Sequence, residues 1–232
     1  MTQATNKTAI TTKLPPGQKA RGDFPRFGLS PYAKRYQKDF GELDLTIAGK
    51  CLSSIFNLSS NNLEQLSRVE FSSDFHCVTT WSKQNLKWSG FYFREFYQEF
   101  ILPQTNNPES IHWVIFKSKD GYRSRMLLED LLEDNVILAD QLNDKPLCSI
   151  HGAPLRLVAP AHYGYKNPKY LKTIEFHSAD YQFKPPLMAF MEHPRARVAF
   201  EERGQVFPGW LLRYVYRPMI NSTVKLFKQT MM

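Results

Sequence analysis

Short runs of strand-forming residues, mixed with short helical segments in no regular order, most constrain how this chain can fold. Alternating apolar and polar residues predict strands. These runs are residues 43–49, the first part of 68–81, 154–160 and 170–177. An Asp-Gly pair, Asp120 and Gly121, divides residues 111–126 into the two strands of a predicted hairpin. Since strands and helices do not alternate as in repeated βαβ units, the pattern predicts an α+β fold with mixed β-sheets.

Helices are predicted only for short segments, from apolar spacing and capping residues. They are residues 60–66, 91–100 and 127–135. In residues 24–36 aromatic residues and prolines alternate, which predicts an extended segment, and residues 136–143 give a mixed pattern.

Composition divides the 232 residues into three parts. Residues 1–22 are polar and predict a flexible N-terminal arm. Residues 23–192 contain the predicted strands and form one domain with a sizeable core. Residues 193–232 predict a basic, helical C-terminal extension packed on the domain, in which Pro218 would break or kink a helix. No apolar run resembles a secretory signal or a membrane span, so we expect a cytoplasmic protein.

The charge of the chain indicates an anionic partner. Its formal net charge is +8, which is typical of proteins that meet nucleic acid, a phosphate-bearing cofactor or an acidic membrane surface. Most of the excess lies between Arg195 and Met232, where aromatic residues, leucines and cations are mixed as in interfacial helices. A docked helix with solvated cations explains the same pattern, so both interpretations are open.

The stretch DFHCVTTWS contains Cys77, one of three scattered cysteines that form no disulfide framework. Three interpretations of Cys77 are open. Free cysteine is often buried and inert. A thiolate in a loop after a strand is also a soft ligand for a transition metal, or a nucleophile when a base lies nearby.

A second cluster of chemistry-bearing residues lies in residues 151–169. Its cations and potential cations are His151, Arg156, His162, Lys166 and Lys169. Arginine and lysine bind phosphate oxygens, and Gly152 and Gly164 let the backbone approach a ligand closely. The segment lacks the known phosphate-loop motifs, so a phosphate pocket and a solvated basic loop both fit it.

Together these segments resemble the molybdopterin-binding domain of the sulfite oxidase superfamily. The resemblance rests on DFHCVTTWS, LKWSG, DGY and HGAPLRLVAPAHYGYKNPKYLKTIEF, and extends from about Phe24 to Phe176. It is closest to the small bacterial single-domain branch that includes the catalytic subunit of the methionine sulfoxide reductase system. The resemblance implies a sulfite-oxidase-like fold and a molybdenum–molybdopterin cofactor. The implied reaction is a two-electron oxygen-atom transfer between a mononuclear molybdenum centre and a small-molecule substrate.

The resemblance also implies roles for individual residues. Cys77 matches the thiolate ligand of molybdenum and would be both the catalytic and the metal-binding residue. The implied cofactor-binding residues are Arg26, Phe27, Gly28, Ser118, His151, Arg156, Asn167, Pro168 and Lys169.

One departure bears on the substrate. Sulfite oxidases carry an arginine-rich stretch soon after the cysteine, whereas here TTWSKQ offers Lys83 alone. The substrate is therefore expected to be an S-oxide or similar compound, in preference to sulfite. A separate electron-transfer partner, such as a membrane haem protein, is implied. Peripheral membrane contact through the basic tail is a further expectation, and nucleic-acid binding is not expected.

Two rival hypotheses remain at this point. In one, the chain is a non-enzymatic binding module of the same fold for an anionic ligand or a membrane surface. In the other, Cys77 is the nucleophile of a thiol enzyme, with His76, His151 or His162 as its base.

Overall fold

The structure is a computed structural model that describes residues 13–186 and 192–231. Its β-strands are β1 (Lys19–Ala20), β2 (Leu45–Ala48), β3 (Phe56–Leu58), β4 (Arg68–His76), β5 (Trp81–Tyr92), β6 (Trp113–Ser118), β7 (Arg123–Leu127), β8 (Ile137–Leu142), β9 (Lys145–Pro146), β10 (Arg156–Val158) and β11 (Leu171–His177). Its α-helices are α1 (Ser60–Leu63), α2 (Phe93–Phe96), α3 (Leu128–Leu131), α4 (Gly209–Tyr216) and α5 (Met219–Gln229).

Two mixed sheets form the domain. The first has the order β1-β5-β8-β10, with β4 also paired to β5 and β9 to β8. The second has the order β3-β2-β11-β6-β7, in which β11 is parallel to β2 and antiparallel to β6. The prediction of an α+β fold with mixed sheets and short helices is confirmed.

One hydrophobic core is shared by both sheets. Its fully buried side chains include Leu138 from the first sheet and Phe116, Ile174 and Phe176 from the second. Burying a side chain of this size contributes about 1.5–3 kcal/mol to stability, so the two faces are held firmly together. The loops at the sheet ends are therefore carried by a rigid scaffold.

The strand β5 is the main element that the sequence analysis did not find. It begins at Trp81 and runs through a segment for which no strand was predicted. Two irregularities hide its pattern: Asn85 has a positive φ of 56°, and the pairing with β8 shifts between Ser89 and Gly90. A strict alternation of apolar and polar residues is lost at such points.

The structure adds detail to the prediction at three other segments. The helix predicted for residues 91–100 begins at Phe93, after the end of β5, and continues beyond α2 as a π-helical turn over Tyr97–Ile101. Within the predicted extended segment 24–36, Ser30–Arg35 forms a 3-10 helix. The residues 136–143, which gave a mixed pattern, contain strand β8.

The two termini differ from the prediction as well. The described part of the predicted flexible arm, residues 13–22, is attached to the domain, because β1 pairs in parallel with the start of β5. In the C-terminal extension, residues 193–208 are not helical, and helix α4 begins only at Gly209. Pro218 separates α4 from α5, as expected.

Candidate active site

A cavity of about 480 Å³ lies between the ends of the strands and the C-terminal extension. All ten residues that the resemblance implied for the cofactor site line it. They are Arg26, Phe27, Gly28, Cys77, Ser118, His151, Arg156, Asn167, Pro168 and Lys169. Segments separated by more than a hundred residues in the sequence thus meet in one place.

Cys77 opens the tight turn that joins β4 to β5, which we call the Cys77 turn (residues 77–80). Its backbone N–H donates to the Trp81 carbonyl at 2.8 Å, and its carbonyl accepts from the Thr80 N–H at 3.1 Å. The side-chain amide of Gln18 donates a further hydrogen bond of 3.0 Å to the same carbonyl. The thiol lies 3.1 Å from the Thr79 hydroxyl. The backbone around the thiol is therefore fixed by hydrogen bonds.

Arg156 begins β10 and is fully buried beneath the cavity. Its guanidinium donates to the carbonyls of His151, Leu157 and Asn167, at 2.8, 3.4 and 3.4 Å. The same group lies 4.9 Å from the centre of the Trp88 ring. These contacts use three of the five N–H donors of an arginine, so the group supplies positive charge and keeps donors for a ligand.

Asn167 and Lys169 belong to the loop that leads into β11. The Asn167 side chain accepts from the Ala159 N–H at 2.6 Å and donates to nearby carbonyls, including that of Tyr163 at 3.2 Å. Its amide therefore organises the loop itself. The ammonium group of Lys169 donates to the Ile150 carbonyl at 3.2 Å and has donors left over.

Arg26 precedes Phe27 and Gly28 along the cavity edge. Its guanidinium donates to the carbonyls of Tyr32 and Ala33 at 3.0 and 2.9 Å and lies between two aromatic rings, those of Tyr36 and Phe227. This geometry orders the segment 26–28. It leaves the backbone of that segment along the cavity, where it can contact a ligand.

The cations along the cavity form no close ion pairs. Arg26, Arg156 and Lys169 form none with any carboxylate that the structure describes, although Asp120 lines the same cavity and interacts with the charge of Lys169 from a longer distance. Burial, together with Arg156 and Arg26, lowers the pKa of Lys169 to about 7. Burial and the charges of Arg156 and Lys169 lower the pKa of His151 to about 4. An anion in the cavity would offset this excess of positive charge.

Ser118 adds a second observation in favour of a polar ligand. Its Oγ is buried at the end of β6 and has no hydrogen-bond partner among the described residues. A buried hydroxyl without a partner is costly, so such groups often mark a ligand contact. The excess of cations and this hydroxyl fit a phosphate-bearing pterin, and the thiol of Cys77 fits a thiophilic metal.

The geometry does not favour a thiol enzyme. Burial raises the pKa of the Cys77 thiol, which disfavours a free thiolate. Of the three histidines considered as a base, only His151 lines the cavity. The Nδ1 of His76 lies 2.7 Å from the Ser82 hydroxyl, and the Nε2 of His162 lies 3.4 Å from the Asp130 carboxylate.

One wall of the cavity was not foreseen. It comes from the C-terminal extension and consists of Tyr216, Met219, Thr223 and Phe227. The sequence pattern of this tail was interpreted as an interfacial helix or as a docked helix with solvated cations. The contact of these four residues with the cavity depends on a chain reversal that no local pattern indicates.

Comparison with known proteins identifies the family to which the chain belongs. A model of the family described as the oxidoreductase molybdopterin binding domain matches residues 33–184. The chain belongs to this family. It is a molybdopterin-binding oxidoreductase with a molybdenum–molybdopterin cofactor, as the sequence resemblance implied. The C-terminal extension lies outside the part that the family model matches.

Individual relatives support this assignment. The chain is 28% identical over 172 residues to the uncharacterized oxidoreductase YuiH of Bacillus subtilis, covering 74% of this chain and 83% of that protein. It is 27% identical over 149 residues to the protein-methionine-sulfoxide reductase catalytic subunit MsrP of Xanthomonas campestris pv. campestris, covering 55% of this chain and 46% of that protein. It therefore spans most of YuiH and less than half of MsrP.

Two further proteins match parts of the chain. Mitochondrial sulfite oxidase of Drosophila melanogaster is 34% identical over 98 residues, which cover 39% of this chain and 16% of that protein. Among solved structures, the sulfane dehydrogenase SoxCD from Paracoccus pantotrophus matches with a TM-score of 0.52 at 17% identity, covering 62% of this chain and 41% of that one. This likeness shows the shared fold.

The described helices were compared with the requirements for spanning a membrane. None of them combines the length and the apolar character that a transmembrane helix requires.

Proposed function

We propose that this chain is the catalytic unit of a molybdenum oxidoreductase in which Cys77 is the protein ligand of the metal. The observation that carries the proposal is that this thiol lines one cavity together with three cations that form no ion pair with a described carboxylate, Arg26, Arg156 and Lys169. When bound, the cofactor supplies two-electron redox chemistry coupled to oxygen-atom transfer. Arg156, Lys169 and Ser118 would bind its polar and phosphate groups, and the 26–28 segment would offer backbone contacts.

We further propose that the substrate is an S-oxide with apolar groups beside the sulfur. The Lys83 ammonium, which was the one cation near the cysteine in the sequence, donates to the Gly22 carbonyl at 2.6 Å and does not line the cavity. The residues of the Cys77 turn that line the cavity are uncharged, and the wall from the extension is largely apolar. No cation of the Cys77 turn or of the extension lines the cavity, so an anion such as sulfite would find no direct cationic partner from either of them. Reduction of the S-oxide would consume two electrons and two protons and release a sulfide and water.

The electrons would come from a separate electron-transfer partner. MsrP is by name a catalytic subunit, and another relative, of Azospira oryzae, is a putative protein-methionine-sulfoxide reductase subunit. A membrane haem protein is the proposed class of partner.

Cofactor and substrate are tested together by metal and pterin analysis of protein made in a molybdenum-competent host, followed by assays of S-oxides, N-oxides and sulfite with an artificial electron carrier. Protein without molybdenum and pterin would contradict the proposal, and turnover of sulfite alone would contradict the S-oxide assignment.

The C-terminal extension supports a proposal of peripheral membrane contact that depends on apolar residues and not on charge. Four of its seven cations form ion pairs: Arg197 with Glu202, Arg203 and Arg213 with Glu201, and Arg195 with Glu129 and Asp130 of the domain. This pairing weakens the alternative of a binding module for anionic surfaces. The large exposed apolar side chains of the extension include Phe200, Val206, Trp210, Leu211, Tyr214 and Val215.

Vesicle sedimentation tests this contact. We expect binding to neutral phosphatidylcholine vesicles that falls when Trp210 and Leu211 are replaced by serine and changes little in the control Lys225→Gln. Binding only to anionic vesicles, lost in high salt, would contradict it.

A further inference from the structure

The Cys77 turn is held by residues that lie far away in the sequence. The family model ends at residue 184, yet two arginines of the extension, Arg203 and Arg217, reach the turn from beyond that limit. Both also contact the segment before β1, at Pro16 and Gly17. The turn is thus linked to the segment before β1 and to the C-terminal extension.

Arg203 is the more deeply buried of the two, with 0% of its surface exposed. Its guanidinium donates to the carbonyl of Val78, the residue next to Cys77, and at 3.1 Å to the carbonyl of Pro16. The Nε donates to Glu201 at 3.0 Å, and the ring of Tyr163 lies 5.0 Å away. One side chain therefore joins the extension, the N-terminal segment and the cysteine loop.

The ion pair alone does not explain why Arg203 is buried there. Glu201 is also paired with Arg213, so its charge is already balanced without Arg203. What Arg203 alone supplies is the pair of hydrogen bonds to the carbonyls of Val78 and Pro16. These carbonyls belong to loops, which have no sheet partner to order them.

The other end of the turn is strained and is held by Arg217. Thr80 has a positive φ of 80°, which a β-branched residue rarely adopts. A conformation of this kind is strained and persists only where surrounding contacts impose it. The Nε of Arg217 donates to the Thr80 hydroxyl at 3.3 Å, and its terminal nitrogen donates to the Gly17 carbonyl at 3.4 Å.

We propose that Arg203 and Arg217 are positioning residues of the metal site, which fix the Cys77 turn so that the thiol is presented in one orientation. The inference rests on the proposed role of Cys77 as metal ligand. It makes the C-terminal extension a part of the active centre and not only a cover for the domain.

The test compares wild type with Arg203→Lys, Arg203→Gln and Arg217→Gln in cofactor-loaded protein. Molybdenum and pterin content, the Mo(V) electron paramagnetic resonance spectrum, and kcat and KM with an S-oxide are measured for each. Arg197→Gln is the matched control, because Arg197 forms its ion pair with Glu202 in the same extension without touching the turn. We expect altered Mo(V) spectra and a fall in kcat of roughly tenfold to a hundredfold in the Arg203 and Arg217 variants, with KM little changed and Arg203→Lys closer to wild type than Arg203→Gln.

Failure of this inference and failure of the proposed function give different results. Variants that retain the cofactor with the wild-type spectrum and kcat would overturn the positioning role. Wild-type protein without a Mo(V) signal and without molybdenum would instead overturn the proposed function. If both Arg203 variants are insoluble, Arg217→Gln decides the matter, because it removes the contact at the other end of the same turn.

Discussion

Gly152 packs directly against the side chain of Lys169. A Cβ atom at Gly152 would lie 3.0 Å from the Lys169 Cγ and 3.1 Å from the Arg156 Cβ, and the residue has a positive φ of 117°. Only glycine adopts this conformation readily. The missing side chain therefore lets two cations of the cofactor site, the buried Arg156 and the half-buried Lys169, lie side by side.

Replacing this glycine should disturb the cationic pair. We expect Gly152→Ala to lower the free energy of unfolding by about 1–3 kcal/mol, because of the backbone strain and the close contacts. Cofactor content should fall as well. Urea unfolding and molybdenum analysis measure the two effects. Gly22→Ala is the matched control, because no atom lies within 4 Å of a Cβ placed there. Equal behaviour of the two variants would contradict this account of Gly152.

The lowered pKa of Lys169 predicts a pH dependence of stability. Burial holds the pKa at about 7 in the folded protein, against an ordinary value of 10.5. Between these values the unfolded chain binds more protons than the folded one, so stability should rise with pH above 7. In cofactor-free protein, we expect Lys169→Met to remove part of this rise between about pH 7 and pH 9. Parallel stability curves for wild type and variant would show that Lys169 keeps its ordinary pKa.

Ser118 should matter for the cofactor and not for folding. Since its hydroxyl has no hydrogen-bond partner among the described residues, Ser118→Ala should leave the unfolding free energy of cofactor-free protein nearly unchanged. Loss of one hydrogen bond to the cofactor, worth about 0.5–1.5 kcal/mol, should weaken cofactor retention about twofold to tenfold. Pterin fluorescence released at rising urea concentration measures retention. Ser73→Ala, which removes a similarly unpartnered hydroxyl outside the cavity, should retain the cofactor as wild type does.

Asn167, in contrast to Ser118, should matter for the stability of the cofactor-free protein. Asn167→Ala leaves the buried Ala159 N–H and the carbonyl of Tyr163 without their side-chain partner. We expect a loss of stability of about 1–3 kcal/mol in cofactor-free protein, measured by urea unfolding, with the exposed Asn57→Ala as control. A stable variant that fails only to bind the cofactor would show that the amide contacts the cofactor directly.

Local sequence patterns were sufficient for the hairpin and for the position of the cysteine. The Asp-Gly pair identified the turn between β6 and β7, and the polar residues after Phe75 located the Cys77 turn. The basic segment could be found because cations and glycines are concentrated in a short stretch. The resemblance to a family then related the hairpin turn, the Cys77 turn and the basic segment to one cofactor site. In the structure, residues of all three line one cavity.

Long-range contacts explain what the sequence did not reveal. Arg203 and Val78 are separated by 125 positions, and nothing in the residues around either one indicates that they meet. Strand β5 was missed because a register shift and the positive φ of Asn85 interrupt its alternation. The role of the Asn167 amide in its own loop depends on a fold of the backbone that composition does not specify.

The central claim is that the Cys77 thiolate is a ligand of molybdenum. X-ray absorption at the molybdenum edge tests it most directly, in cofactor-loaded wild type, Cys77→Ser and the control Cys148→Ser, whose thiol is exposed. The account predicts one sulfur neighbour fewer around molybdenum in Cys77→Ser than in wild type, and no change in Cys148→Ser. The same number of sulfur neighbours in Cys77→Ser as in wild type would contradict it.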